Sequence, residues 1–143
     1  MDTVRNILQI KGNLVYTTCI TCSVYEALEV LEEKNLGALV VVDENGQLVG
    51  IFTERDYARK VILKGRSSKE TLVRDIMTDS PVFVTPDTEL EYCMQLMTNK
   101  FIRHLPVIEN NQLTGLISIG DIMKYVINNK DFIIQNLEHY IVS

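Results

Sequence analysis

Gly50-Ile51-Phe52-Thr53-Glu54-Arg55-Asp56 and Gly115-Leu116-Ile117-Ser118-Ile119-Gly120-Asp121 carry one pattern twice, 65 residues apart. Each copy reads glycine, two apolar residues, a hydroxyl, two variable positions and aspartate. Each follows an apolar run with strand character and opens a run with helical period. A hydroxyl and a carboxylate held at such a strand-to-helix corner suit the grip of a phosphorylated sugar, and the chain encodes that corner twice.

The duplication extends outward from both motifs. Val24, Ala27, Leu28 and Leu31, followed by Ala38-Leu39-Val40-Val41-Val42, match Leu90, Cys93, Met94 and Met97, followed by His104-Leu105-Pro106-Val107-Ile108, at an offset of 66. Gln47-Leu48-Val49-Gly50 then matches Gln112-Leu113-Thr114-Gly115 at an offset of 65. The lost residue falls where Asp43-Glu44-Asn45-Gly46 becomes Glu109-Asn110-Asn111. A turn absorbs that loss without moving the strand faces. Lead-in segments repeat too: Thr3-Val4-Arg5-Asn6-Ile7-Leu8 resembles Leu72-Val73-Arg74-Asp75-Ile76-Met77 at an offset of 69.

These matches divide the chain into 1–68, a first repeat with its lead-in helix, and 72–130, a second repeat, with 64–71 as linker. The tail 131–143 carries Phe132, Ile133, Leu137, Tyr140 and Ile141, which suit packing on the core or on another subunit.

Each repeat reads strand, helix, strand, strand, helix, an α+β arrangement. Leu14–Thr17 and Val82–Thr85 are short β-branched runs. Ser23 with Glu26, and Thr88 with Glu91, fit capping boxes for the helices that follow. The caps align at 65 and the apolar stripes at 66, so the second helix has two possible registers one residue apart. Asn-Gly and Asn-Asn predict hairpin turns between the next strands. A helix over Glu54–Lys64, stopped by Gly65, and its counterpart over Ile119–Asn129 complete the repeats. Two copies are too few for a solenoid and predict a pseudo-twofold pair.

At 143 residues, 46% apolar and 23% charged, the chain has the size and composition of a soluble globular domain. No apolar run reaches the ~20 residues that span a bilayer. The N-terminal residues Met1 to Arg5 lack the apolar core of a secretory signal, so the cytoplasm is the expected compartment. A net charge of −5 disfavours nucleic acid as the main partner. Three cysteines suit a reducing compartment and free thiols better than a disulfide framework.

The order of elements, the doubled Gly-apolar-apolar-Thr/Ser-x-x-Asp signature, Val73-Arg74-Asp75-Ile76-Met77-Thr78 and Arg103-His104-Leu105-Pro106-Val107 together resemble a tandem pair of CBS domains over about Thr3–Asn129. The resemblance implies β-α-β-β-α units paired through their sheets into a Bateman-type module, which commonly forms a homodimer. It implies regulatory binding of AMP, ADP, ATP, NAD or S-adenosylmethionine in clefts between repeats. It further implies that Asp56 and Asp121 hold ribose, and that Thr53 and Ser118 contact phosphate.

The residues themselves allow that role. A helix N-terminus favours an anion, and a carboxylate can accept from vicinal ribose hydroxyls. They equally allow a simpler one, since Thr53-x-x-Asp56 and Ser118-x-x-Asp121 are capping boxes that stabilise a helix by ~1 kcal/mol with no ligand. Arg55 gives the first copy a cation where the second has Gly120, while Arg103 and His104 stand where the first repeat has Gly37 and Ala38. The copies are therefore expected to differ in affinity or in ligand. Adenine contacts would come from Thr17, Cys19, Ile20, Ala38, Leu39, Thr85, Leu105 and Pro106.

Cys19-Ile20-Thr21-Cys22 is a CxxC ahead of a helix, a placement shared with redox dithiols. In the repeat alignment these cysteines match Thr85 and Thr88, which makes small turn residues the plainer reading. A zinc site lacks a second ligand pair at matching spacing. No nucleophile–base pair, P-loop or GxGxxG is apparent, so a binding module is expected and an enzyme is not. The remaining alternatives are a redox-responsive interaction module and a plain dimerisation scaffold.

Overall fold

The apolar stripes and β-branched runs become helices and strands close to where their periods place them. The computed structural model describes residues 2–129; the expectation for the tail 131–143 lies outside the described residues. In chain order the elements are α1 (Val4–Lys11), β1 (Thr17–Cys19), α2 (Val24–Lys34), β2 (Ala38–Val42), β3 (Leu48–Thr53), α3 (Glu54–Lys60), β4 (Thr78–Asp79), α4 (Leu90–Lys100), β5 (His104–Glu109), β6 (Gln112–Ser118) and α5 (Ile119–Asn128). Short 3₁₀ turns occupy Ile62–Lys64 and Val73–Asp75.

The chain packs as two units. Of the described residues, one gathers 2–13, Phe83–Asn110 and 114–129; the other gathers Leu14–Val82 with Asn111–Leu113. In the latter, four strands run in the order β1-β2-β3-β4, with β1 parallel to β2 and the other pairs antiparallel. β2 is an inner strand, and its Ala38, Leu39, Val40 and Val41 are all buried, as its unbroken apolar run requires. Val24, Ala27 and Leu31 of α2 pack with Leu39, Val41, Phe52, Val61, Val73 and Ile76. In the former unit, β5 and β6 form a hairpin, and Val84 bridges in parallel to Val107. Its core joins Leu90, Cys93 and Met97 of α4 to Leu105, Val107, Ile117 and Ile122.

The lead-ins are exchanged relative to chain order. Val4, Ile7 and Leu8 of α1 lie in the core of the second repeat, and Val73 and Ile76 lie in that of the first. Backbone bonds fix each lead-in: Val4 N donates to Thr88 O at 2.9 Å and Arg5 N to Pro86 O at 2.8 Å. Likewise Val24 N donates to Thr71 O at 2.8 Å and Val73 N to Cys22 O at 2.9 Å. The division into 1–68 and 72–130 therefore follows the sequence repeats, whereas α1 packs with the second repeat. Three buried apolar residues on one face of a short helix find their partners there, and burial of that face holds the helix.

The register of α4 is settled by burial. Ser23 caps α2 as expected, accepting from Glu26 N at 3.1 Å. In α4 the N-cap is Glu89, not Thr88, whose hydroxyl accepts from Thr85 N at 3.0 Å instead. This is the register of the apolar stripe, at offset 66. Burying Leu90, Cys93 and Met97 is worth more than the ~1 kcal/mol of a hydroxyl cap.

Other boundaries shift for local reasons. Leu14 is exposed, and the first strand begins only where Thr17 pairs with Val40. The run Val82–Thr85 contributes one bridge, with no full strand. The helix expected over Glu54–Lys64 stops at Lys60, with Val61 as its buried C-cap at φ −115°; Gly65, at φ +70°, closes the 3₁₀ turn that follows. Asn110 and Asn111 both adopt positive φ, 53° and 61°, as a two-residue hairpin turn requires.

Candidate functional site

Each repeat ends its last strand on a hydroxyl that caps the next helix. At the first corner Thr53 Oγ1 accepts from Asp56 N at 3.1 Å, and Asp56 Oδ2 accepts from Thr53 N at 3.0 Å. Thr53 Oγ1 also donates to Asp56 Oδ2 at 3.1 Å. At the second corner Ser118 Oγ accepts from Asp121 N at 3.0 Å, and Asp121 Oδ2 accepts from Ser118 N at 2.8 Å. Both are reciprocal capping boxes, so the motif does serve its helix.

The glycine that opens each motif admits a lead-in. A Cβ on Gly50 would lie 2.5 Å from Met77 Sδ and 2.9 Å from Thr78 O. A Cβ on Gly115 would lie 2.8 Å from Leu8 Cδ2. Leu8 and Met77 are equivalent residues of the two lead-ins, so exchanged segments cover equivalent glycines.

A lysine joins each corner, and the motif alone reveals neither. Lys60 Nζ lies 3.1 Å from Asp56 Oδ1 and donates to Ile76 O at 3.0 Å. Lys11 Nζ lies 2.7 Å from Asp121 Oδ2 and donates to Leu116 O at 2.6 Å. The spacing Asp56–Lys60 is an i,i+4 helix pair and so is legible in the sequence. Nothing in the sequence signals Lys11, which is 110 residues from its partner.

The carboxylates differ in access, with side-chain exposure of 11% for Asp56 and 26% for Asp121. Arg103 is exposed, and its carbonyl accepts from Ile119 N at 2.9 Å, which fixes its backbone at the start of α5. His104 follows, with its pKa lowered from 6.5. Burial is the main cause, with Lys11 and Arg103 adding to it and Asp121 opposing them. His104 is therefore neutral at pH 7 and offers a hydrogen bond, not a charge. Local positive charge comes from Lys11 and Arg103. At the first corner Arg55 is exposed on α3.

The residues expected to meet adenine are placed unevenly. Leu39 and Leu105 are fully buried in the two cores, and Ala38 and Pro106 are also buried. These four are packing residues in this structure, for the reason that makes them strand residues: an apolar run with both faces covered. Thr17 and Thr85 are exposed, and Cys19 and Ile20 are half-buried.

Cys19 and Cys22 form a disulfide, which corrects the expectation of free thiols. The equivalent Thr85 and Thr88 hydroxyls lie 3.2 Å apart in hydrogen-bond contact. The same turn is thus closed covalently in one repeat and by a hydrogen bond in the other. Cys93 is buried and free, and burial pushes its pKa up to about 11. It is a core residue without a reactive thiolate. Among the described residues no group of three or more His, Cys, Asp or Glu side chains is placed to hold a metal ion. Among them, too, no helix is long and apolar enough to cross a membrane.

Two α+β repeats, each passing from strand to helix through a hydroxyl–aspartate capping box, define a tandem repeat module, and comparison with known proteins gives its family. The CBS domain family model matches residues 15–63 and again 73–128, so the chain belongs to the CBS-domain family as a tandem pair. A mitochondrial CBS domain-containing protein of Arabidopsis thaliana, CBSX3, is 42% identical over 147 aligned positions, covering 97% of this chain and 71% of the plant protein. A solved CBS-domain protein from Burkholderia ambifaria is 46% identical with a TM-score of 0.86, covering 90% of this chain and 96% of that one. A more distant CBS pair, 26% identical with a TM-score of 0.76, covers 87% of this chain and 94% of that one. It was solved in complex with 5′-methylthioadenosine and S-adenosyl-L-methionine.

Proposed function

We propose that this CBS pair is a regulatory, non-catalytic module that binds an adenosine-containing ligand, AMP, ADP, ATP or NAD, at its hydroxyl–aspartate corners. It passes occupancy on through its conformation or the geometry of a homodimer. The observation that carries the reading is the recurrence, in both repeats, of a carboxylate held one turn from a strand-end hydroxyl with a cation against it. One carboxylate matches the paired hydroxyls of a ribose; the hydroxyl and cation match a phosphate. The distant relative solved with two adenosine derivatives supports the ligand class. Nothing in the corner activates water or a nucleophile, so no chemical step is assigned to it. The expected compartment is the cytoplasm; the plant relative is named as mitochondrial, and adenine nucleotides occur in both.

The test is calorimetry with AMP, ATP, NAD and S-adenosylmethionine on the wild type and on the Asp56→Ala/Asp121→Ala double variant. The wild type should bind at least one of them, and the variant, shown folded by its melting curve, should not. Equal affinity in a folded double variant rejects the reading.

A second reading is favoured by the Cys19–Cys22 disulfide: a redox-responsive interaction module. The turn it closes holds the lead-in of the second repeat, since Val73 N donates to Cys22 O at 2.9 Å and Arg74 N to Ile20 O at 3.2 Å. Reduction should then change binding or oligomeric state. A protein that keeps the same affinity and mass after reduction, with both thiols near their ordinary pKa of about 8.5, removes the support for it.

A further inference from the structure

The two corners satisfy themselves to different degrees. At the first, Asp56 Oδ2 accepts from Thr53 N and Thr53 Oγ1, and Asp56 Oδ1 meets Lys60. Both carboxylate oxygens and the hydroxyl hydrogen are already used. At the second, Asp121 Oδ2 takes both Ser118 N and Lys11 Nζ. Asp121 Oδ1 has no partner among the described residues. Ser118 Oγ accepts from Asp121 N but donates to nothing among the described residues. An open acceptor and an open donor therefore stand side by side at the second corner only.

Lys11 adds a third open valence. An ammonium has three donors, and Lys11 uses two, on Asp121 Oδ2 at 2.7 Å and Leu116 O at 2.6 Å. Its backbone is held, because α1 is anchored in the core by Val4, Ile7 and Leu8 and ends at Gly12, whose N donates to Leu8 O at 2.7 Å. The cation is thus presented in place and need not be gathered from a flexible loop, which lowers the cost of using it. Lys11 and Arg103 both lower the pKa of neighbouring His104, against the opposing influence of Asp121, so positive charge prevails around it.

We propose that Lys11 is the residue by which the second corner selects a phosphorylated adenosine over an uncharged one. The proposal rests on the adenosine reading above and adds the source of its charge selectivity. Ribose hydroxyls donate to Asp121 Oδ1, while the Ser118 hydroxyl and the third N–H of Lys11 donate to a phosphate oxygen. Adenosine keeps the first contact and lacks the others. Lys60 at the first corner likewise has one N–H beyond Asp56 Oδ1 and Ile76 O, but there the hydroxyl hydrogen and both carboxylate oxygens are already engaged, so it lacks the open oxygen and hydroxyl that stand beside Lys11. Because Lys11 belongs to α1, the lead-in helix becomes part of the ligand's own shell.

The experiment is calorimetry of the full chain with AMP and with adenosine, on the wild type, Lys11→Met, Lys11→Arg and Lys100→Met. The last removes an equal charge from the end of α4. Lys11→Met should weaken AMP by about tenfold or more, the scale of a charge-assisted hydrogen bond, and leave adenosine within about twofold. Lys11→Arg should keep most of the AMP affinity, and Lys100→Met all of it. Melting curves confirm that each variant is folded. If the wild type binds AMP but Lys11→Met weakens AMP and adenosine alike, or neither, the role of Lys11 is wrong and the adenosine reading stands. If the wild type binds no adenosine derivative, both fall together.

Discussion

Thr53–Asp56 and Ser118–Asp121 obey one local rule and reach different chemical states. Both aspartates cap their helices, and both meet a lysine that also holds a backbone carbonyl. The first lysine comes from the same helix, one turn on; the second comes from the opposite end of the chain. With Thr53 donating to Asp56 as well as accepting, the first corner closes on itself. The second keeps a carboxylate oxygen and a hydroxyl hydrogen unused among the described residues. Identical capping boxes therefore leave different donors and acceptors unused, according to how the hydroxyl and the lysine attach to the carboxylate.

The sharpest way to break the comparison is at the motif glycines. Gly50→Ala puts its Cβ against the Thr78 carbonyl and Met77 Sδ, of which the backbone atom cannot swing aside. Gly115→Ala meets only the end of the Leu8 side chain. Urea denaturation should show a loss of about 2–3 kcal/mol for Gly50→Ala and about 1 kcal/mol for Gly115→Ala. Equal losses would mean that both lead-ins yield equally.

A smaller contrast is expected at the aspartates. Asp56→Ala removes the more buried carboxylate, which accepts from Thr53 N and Thr53 Oγ1, while Lys60 keeps Ile76 O, and about 2 kcal/mol is expected. Asp121→Ala removes a more exposed cap, and Lys11 keeps Leu116 O, so about 1 kcal/mol is expected. Thermal melts of the two single variants check the order. A larger cost at Asp121 would show that its carboxylate contributes more to the fold than that of Asp56.

The smallest effect distinguishes the repeats by pH. His104 has a folded pKa lowered from 6.5 by burial first, then by Lys11 and Arg103, whereas the equivalent Ala38 cannot titrate. Below its ordinary pKa the unfolded chain binds the proton more readily than the folded one, so stability rises with pH through that window. The contribution of neutral His104 is complete above 6.5 and is lost as pH falls through the folded value. Denaturation midpoints between about pH 5.5 and 7.5 should show this slope, and His104→Gln should flatten it. An unchanged slope in the variant would place the titration elsewhere.

Much of the fold was legible because its signals are local. Ser23, Thr53 and Ser118 cap helices within four residues of themselves, and Asn110-Asn111 turns a hairpin by its own positive φ values. Thr88 misled for the same reason: its local signature was sound, but burial of Leu90 set the helix one residue later. β4 was hidden because two residues carry no period, and it pairs only because β3 offers an edge. Leu39 and Leu105 are buried in the two cores, and the sequence does not give this because an apolar strand residue reads alike whether it faces a ligand or a core.

The sequence by itself determined the repeat, the α+β order within each copy and the capped aspartate corners, because each depends on residues a few positions apart. Only the tertiary structure decided which lead-in covers which glycine and which lysine reaches Asp121. Those outcomes depend on where apolar faces find burial across more than a hundred residues, and no spacing along the chain encodes that choice.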